Sequence, residues 1–199
     1  MIKRLMDICF SFFGLVVSSP LWLLIILLIY IEDGRPIFFS DYRVGKDRMK
    51  YKHYKFRSMI KSAEDGSGPV WSGQQDMRVT RVGKLLRATA MDELPQLWNI
   101  LRGDMSVVGP RPERPFFVDQ FLRYIPGYDQ RFSVRPGLTG MAQVYGRYDT
   151  SAAKKLEYDL EYIEKSSILL DIKLIIASFL ITFRAGWTRF EEKKPNNSK

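Results

Sequence analysis

Apolar residues are distributed along this 199-residue chain in three patterns, and each predicts a different kind of element. The first is a continuous run. Residues 8–31 carry no charge and follow Lys3 and Arg4. The run is long enough to cross a bilayer, which takes about 20 helical residues. A signal peptide would be shorter and would end in a small-residue cleavage site, which the sequence lacks. Ser18, Ser19 and Pro20 interrupt the run near its middle. Proline removes a backbone hydrogen bond and disfavours helix in the residue before it. Serine hydroxyls can satisfy the carbonyls so freed. The residues alone leave two topologies open: a single span, or a re-entrant helix broken at Ser19–Pro20 that returns to the face it came from.

The second pattern is helical periodicity. Val79, Val82, Leu85 and Leu86 predict a short helix over 78–87. Leu94, Leu97, Trp98 and Leu101 predict one that starts near Met91 or Asp92. Phe116, Phe117, Phe121 and Leu122 mark the apolar side of a helix over 113–124, and 154–165 reads as a charged amphipathic helix. Residues 168–183 are apolar apart from Asp171, Lys173 and a few hydroxyls. That run is too interrupted for a span and predicts a helix lying in the membrane interface or packed beneath the anchor, with Trp187 and Arg189 suited to an interfacial end. The third pattern is alternation. YKHYKFRSM at 51–59 predicts a short strand with Lys55 and Arg57 on one face. Residues 62–75, SAEDGSGPVWSGQQ, read as a mobile loop. The fold class is therefore mainly α with a little β. A membrane anchor over 1–34 precedes a compact domain with interfacial helices over 35–185 and a polar tail over 186–199.

Composition narrows the partners. The net charge is +9, from 31 Lys plus Arg against 22 Asp plus Glu. This suits nucleic acid, an anionic membrane surface or a phosphorylated small molecule. A single cysteine, Cys9, excludes an internal disulfide framework and a cysteine-rich zinc site. A single histidine, His53, with no nucleophile elbow near it, argues against Ser-His-Asp chemistry and reads as an ordinary strand residue. No nucleic-acid-binding motif is present, so nucleic acid is not an expected partner.

Candidate chemistry concentrates at 87–104, RATAMDELPQLWNILRGD. Asp92 and Glu93 stand just ahead of Pro95, and proline fits the first turn of a helix. The acidic pair is therefore expected at a helix N-terminus, where free N–H groups favour negative charge and can receive phosphate. Asp92 could be a simple N-cap. A cap does not account for Glu93, for Arg87 upstream or for the arginine loop downstream. Two adjacent carboxylates are also a minimal site for Mg²⁺, which is usually held by one or two carboxylates together with substrate phosphates. Arg111 lies between Pro110 and Pro112, so its backbone is restrained and its guanidinium suits bidentate phosphate recognition. Lys55 could equally belong to a solvated basic face, and Arg135 in RPGLTG and Arg147 in AQVYGR stand in glycine-bearing turns that could approach a ligand closely, neither diagnostic alone. A metal-assisted phosphoryl site is the expectation from these residues.

The order of the segments resembles one family. The Ser19–Pro20 anchor, YKFRSM, LLRATAMDELPQLWNILRGDMSVVGPRP, RPGLTG, AQVYGR and LLDIK are together similar to the bacterial sugar transferases, or monotopic phosphoglycosyl transferases, over about residues 3–183. The block 92–112 is the specific part. The resemblance implies transfer of a sugar 1-phosphate from a UDP-sugar to undecaprenyl phosphate, with release of UMP. It implies Asp92 as nucleophile and Glu93 as a Mg²⁺ ligand beside it. Arg87 joins the catalytic group, and Lys55, Arg111, Arg135 and Arg147 are expected to bind phosphate or nucleotide. The anchor is implied to be re-entrant, with the active site on the cytoplasmic face of the bacterial inner membrane; a homodimer is left open. The loop VGPRPERP leans toward glucose or galactose rather than N-acetylated amino sugars. A one-step transfer, in which both carboxylates only hold metal, is the rival mechanism. Larger relatives carry a further N-terminal membrane and regulatory region, so the sequence is expected to be either a small member or the catalytic part of a larger one.

Overall fold

The computed structural model describes residues 2–64, 76–146 and 150–191, with side chains through Arg184. Helix α1 (Ile2–Asp33) leads into a hairpin of β1 (Phe38–Val44) and β2 (Lys50–Phe56). Then come α2 (Arg81–Ala88), a 3-10 turn (Met91–Glu93), α3 (Gln96–Arg102), β3 (Ser106–Val108) and α4 (Pro115–Tyr124). A 3-10 stretch (Tyr128–Ser133), β4 (Gly137–Thr139), α5 (Met141–Tyr145), α6 (Ala152–Lys165) and α7 (Ile168–Glu191) complete the order. The chain is mainly helical, as its periodicity predicts. β1 and the parallel pair β3–β4 were not foreseen. β3 and β4 have three residues each, too few for alternation to register, and they are paired by long-range contact.

The Ser19–Pro20 break does not divide α1 into two elements. The helix runs without interruption from Ile2 to Asp33, with Pro20 inside it. Pro20 cannot donate to the Val16 carbonyl, and the Ser19 hydroxyl does so instead at 2.8 Å. Trp22 Nε1 donates to Ser18 Oγ at 3.0 Å across the same turn. The serines expected to heal a break thus keep the ladder continuous. An 18-residue stretch of α1 has a mean hydropathy of 2.5 and is only 11% buried, so most of its apolar surface faces away from the protein.

Both ends of α1 are nevertheless bound to the same folded body. Near the N-terminus, Arg4 donates to the Ile100 and Leu101 carbonyls, and Lys3 pairs with Asp171 at 2.6 Å. Buried Asp7 accepts from Ser106 Oγ and Val107 N, each at 2.9 Å. Gly14 lets α1 approach Leu97 on α3. At the other end, Ile25 and Ile29 pack on Phe56 and Leu86. Arg57 Nη2 donates to the Asp33 and Gly34 carbonyls, neutralising the carbonyl end of α1. Asp171, which breaks the apolar pattern of α7, is buried inside the protein against Lys3 and Tyr162. That leaves Leu169, Ile172, Ile176, Phe179 and Phe183 exposed along the helix.

Two details bring the site elements together. Asn99 is fully buried, accepts from Tyr54 N and donates to the Lys52 carbonyl. Its amide therefore docks α3 on β2 as another strand would. Gly83 carries α2 directly over Ser58: a Cβ there would lie 2.0 Å from the Ser58 carbonyl oxygen. The N-terminus of α2 is satisfied by side chains, with Thr80 accepting from Gly83 N and Glu32 from Arg81 N and Val82 N.

Candidate active site

Four segments converge on the acidic pair. Lys55 comes from β2, Arg87 from the last turn of α2, Asp92 and Glu93 from the 3-10 turn, and Arg111 from the loop after β3. The turn precedes α3 rather than forming its first turn, with Pro95 as the N-cap residue. Ala90 makes this possible by taking a left-handed conformation, φ 55°. Such a backbone costs a non-glycine residue about 1 kcal/mol or more, here spent two residues from Asp92.

Glu93 is the centre of charge. One oxygen, Oε1, accepts from Lys55 Nζ and from Arg111 Nη2, each at 2.7 Å. Burial opposes its ionisation, but the Arg111 and Lys55 charges overcome that and hold the carboxyl well below the usual range. Glu93 in turn keeps Arg111 more firmly protonated. Asp92 behaves oppositely. It is 6% exposed, and burial pushes its carboxyl up; the Glu93 charge adds to this, while Lys55, Arg87 and Arg111 act against it. Arg87 Nε is steadied by Ser58 Oγ at 2.9 Å. Adjacent carboxylates thus have different characters: a locked anion, and a carboxyl whose charge is poorly solvated and hence reactive.

Of the remaining expected cations, Arg135 is placed elsewhere. Arg135 Nε donates to the Gly103 carbonyl at the far end of α3, so it is not among the side chains that meet Glu93. The glycines of RPGLTG do approach a backbone closely, but it is the chain's own. A Cβ on Gly137 would lie 2.1 Å from Gly109 N, and one on Gly140 would lie 2.2 Å from the Gly109 carbonyl oxygen. This crossing pairs β4 with β3 and fixes the start of the arginine loop. Arg57 turns to α1 rather than following Lys55 to the site. Arg147, the side chains of Trp187 and Arg189, the loop from residue 65 to 75 and the tail from 192 lie outside the described residues. His53 is buried on Asp41 at 3.3 Å; burial opposes the Asp41 charge, but His53, Arg43 and Arg114 hold that carboxyl down at about 2.

Sequence reading missed the supports of the arginine loop. Arg43 Nη1 donates to the Pro112 carbonyl and Arg131 Nη2 to the Arg111 carbonyl. Arg131 pairs with Asp159 at 2.8 Å, and burial pushes the Asp159 carboxyl up to about 6 although Arg131 acts against it. One signal was available: Asp159 falls on the apolar side of α6, beside Leu156 and Tyr162.

Residues 1–185 match the bacterial sugar transferase family. The chain belongs to that family. An N-acetylgalactosaminephosphotransferase of Aeromonas hydrophila, which acts between UDP-N-acetylgalactosamine and undecaprenyl phosphate, is 45% identical over 94% of this chain and 44% of its own length. A UDP-glucose:undecaprenyl-phosphate glucose-1-phosphate transferase of Klebsiella pneumoniae is 43% identical over 92% of this chain and 39% of its own. The exopolysaccharide production protein PSS of Rhizobium leguminosarum is 39% identical over 93% of this chain and 96% of its own. The chain thus spans less than half of the first two relatives and nearly all of the third.

Proposed function

We propose that this sugar transferase moves a sugar 1-phosphate from a UDP-sugar to undecaprenyl phosphate, releasing UMP, as the first membrane step of polysaccharide or glycoconjugate assembly. The observation that carries the reading is the cluster of Lys55, Arg87 and Arg111 around two carboxylates of unequal character. The Asp92 carboxylate attacks the sugar-bearing phosphorus, forming an acyl phosphate as the bond to the UMP oxygen breaks. Lys55, Arg87 and Arg111 balance charge on the diphosphate and the leaving UMP. A phosphate oxygen of undecaprenyl phosphate then attacks the same phosphorus and frees Asp92. Raised basicity favours Asp92 as nucleophile over Glu93, whose charge is already tied to two cations.

The donor set fits Mg²⁺. Glu93, with Asp92 beside it, offers hard carboxylate oxygens, and the diphosphate would complete the shell. Among the described residues no larger cluster of metal-ligating side chains exists, so the ion is expected to arrive with the nucleotide. Its chemistry when bound is neutralisation of the diphosphate. The relatives named above differ in sugar, N-acetylgalactosamine in one and glucose in another. The loop around Arg111 leads us to glucose or galactose. A panel of UDP-sugars, scored for UMP release with undecaprenyl phosphate and Mg²⁺, tests both points. Release is expected with UDP-glucose or UDP-galactose. Preference for an N-acetylated sugar would correct the choice of sugar, and no release with any donor from folded, lipid-embedded protein would end the reading.

The contacts of α1 support a re-entrant placement in the sense that both of its ends stay on one membrane face, and a water-soluble UDP-sugar donor makes that face the cytoplasmic one. A straight helix of its 32 residues would be about 48 Å long, against a hydrocarbon core of about 30 Å. Lys3 and Arg4 at one end, and Glu32 and Asp33 at the other, all bind the domain that follows. A full span would have to separate them by the bilayer. Single cysteines at Ile2 and Arg35, in a Cys9→Ser background, should both react with a water-soluble maleimide only from the cytoplasmic side. Reaction of either from outside establishes a span instead.

A further inference from the structure

We propose that Arg131 is a positioning residue for the transfer, acting through the backbone of Arg111. The proposal rests on the phosphate role given to Arg111 above. Successive carbonyls of the loop are each held by a different donor. Pro110 accepts from Gly137 N at 2.9 Å, Arg111 from Arg131 Nη2 at 2.8 Å, Pro112 from Arg43 Nη1 at 3.0 Å and Glu113 from Val44 N at 3.0 Å. Of these, the Arg131 bond grips the residue whose guanidinium meets Glu93.

Arg131 is itself over-determined. It is 6% exposed, donates through Nη1 to Tyr128 Oη, and lies with its guanidinium carbon 5.0 Å from the Tyr128 ring centre. Its partner Asp159, on α6, is 2% exposed. Burying two charges is expensive, and well-packed apolar residues of similar volume are often as stable or more so. Stability alone therefore gives these charges no purpose. What an apolar pair could not do is donate to the Arg111 carbonyl. The loop also has room to slip if that bond is lost. A cavity of about 50 Å³ adjoins it, lined among others by Arg111, Tyr128, Arg131, Gln143 and Asp159. Arg131 thus converts a proline-restrained loop into one fixed at the atom next to the working side chain.

The test is a double-mutant cycle on the full chain in lipid. Arg131→Met with Asp159→Leu removes both charges and should melt no lower than wild type. Its kcat for UMP release should fall about 10- to 100-fold, the usual cost of a misplacement near 1 Å. In an Arg111→Ala background the same pair of changes should cost less than about twofold, because nothing remains to be positioned. A purely structural role predicts equal losses in both backgrounds, and that result, or an unchanged kcat, overturns the proposal. Arg131→Lys, which keeps a cation for Asp159 but lacks the fork, is judged by the same criteria if the double variant does not fold. Wild-type protein that releases no UMP would overturn the transfer reading and this proposal with it.

Discussion

Asp92→Asn is expected to abolish turnover, with a loss on the order of 10³-fold or more, as follows if Asp92 is the covalent nucleophile. The loss alone does not identify the role, because a metal ligand would also fail. The decisive measurement uses wild-type protein with UDP-sugar and Mg²⁺ but no lipid. UMP should appear to about one equivalent, and the retained phospho-sugar should map to Asp92 by mass spectrometry. Steady-state kinetics should be ping-pong. The pH profile gives a second handle. Burial raises the Asp92 carboxyl above the ordinary aspartate range. Only the ionised form is nucleophilic, so kcat/KM should fall with decreasing pH at a value above that of a free aspartate. If trapping finds no adduct, and UMP appears only when both substrates are present, the one-step route is the mechanism.

Glu93→Gln carries the second large effect. Glu93 is ionised throughout the working range, because Arg111 and Lys55 outweigh its burial and hold it low. With its folded value below its unfolded one, the stability it contributes is present above the ordinary glutamate range. It is lost only as the pH falls through the lowered value. At neutral pH glutamine removes a full charge and a hard oxygen ligand. Lys55, Arg87 and Arg111 are then left around one carboxyl that is itself reluctant to ionise. Turnover should drop by about 10²- to 10³-fold, the scale of a lost electrostatic element, and its Mg²⁺ dependence should disappear. UDP binding without Mg²⁺ should persist or tighten, since two cations are released toward the nucleotide. A variant that keeps near-normal Mg²⁺-dependent turnover would remove Glu93 from the metal assignment.

What the sequence disclosed depended on range. Periodicity located α2, α4 and α6, because their apolar faces repeat within a few residues. The acidic pair and Arg111 were visible through proline, which restricts its own neighbourhood. Arg87 was suggested by its nearness in sequence, but the approach of Lys55 could only be expected through resemblance. β2 reaches the site because Asn99 docks on it, and α2 because Gly83 admits it over Ser58. Arg135 shows the opposite case. Its turn looked like a ligand cradle, yet its glycines serve the crossing of two strands and its side chain caps α3. Local sequence cannot say which backbone a glycine allows to approach. The supports at Arg43, Arg131 and Asp159 were missed for the same reason, each being paired across a long stretch of chain.

The last turn of α1 touches two of the three segments that deliver cations to the site. Glu32 caps α2, which carries Arg87, and Asp33 pairs with Arg57, two residues beyond Lys55. Ile25 and Ile29 supply the apolar floor beneath Phe56 and Leu86. The long apolar helix is therefore foundation rather than mooring. Trimming it to obtain a water-soluble fragment would strip α2 of its carboxylate cap and uncover the floor under both cations. Exchanging it for another hydrophobic helix would do the same. Any change in how α1 lies against the domain would therefore be felt at both Lys55 and Arg87.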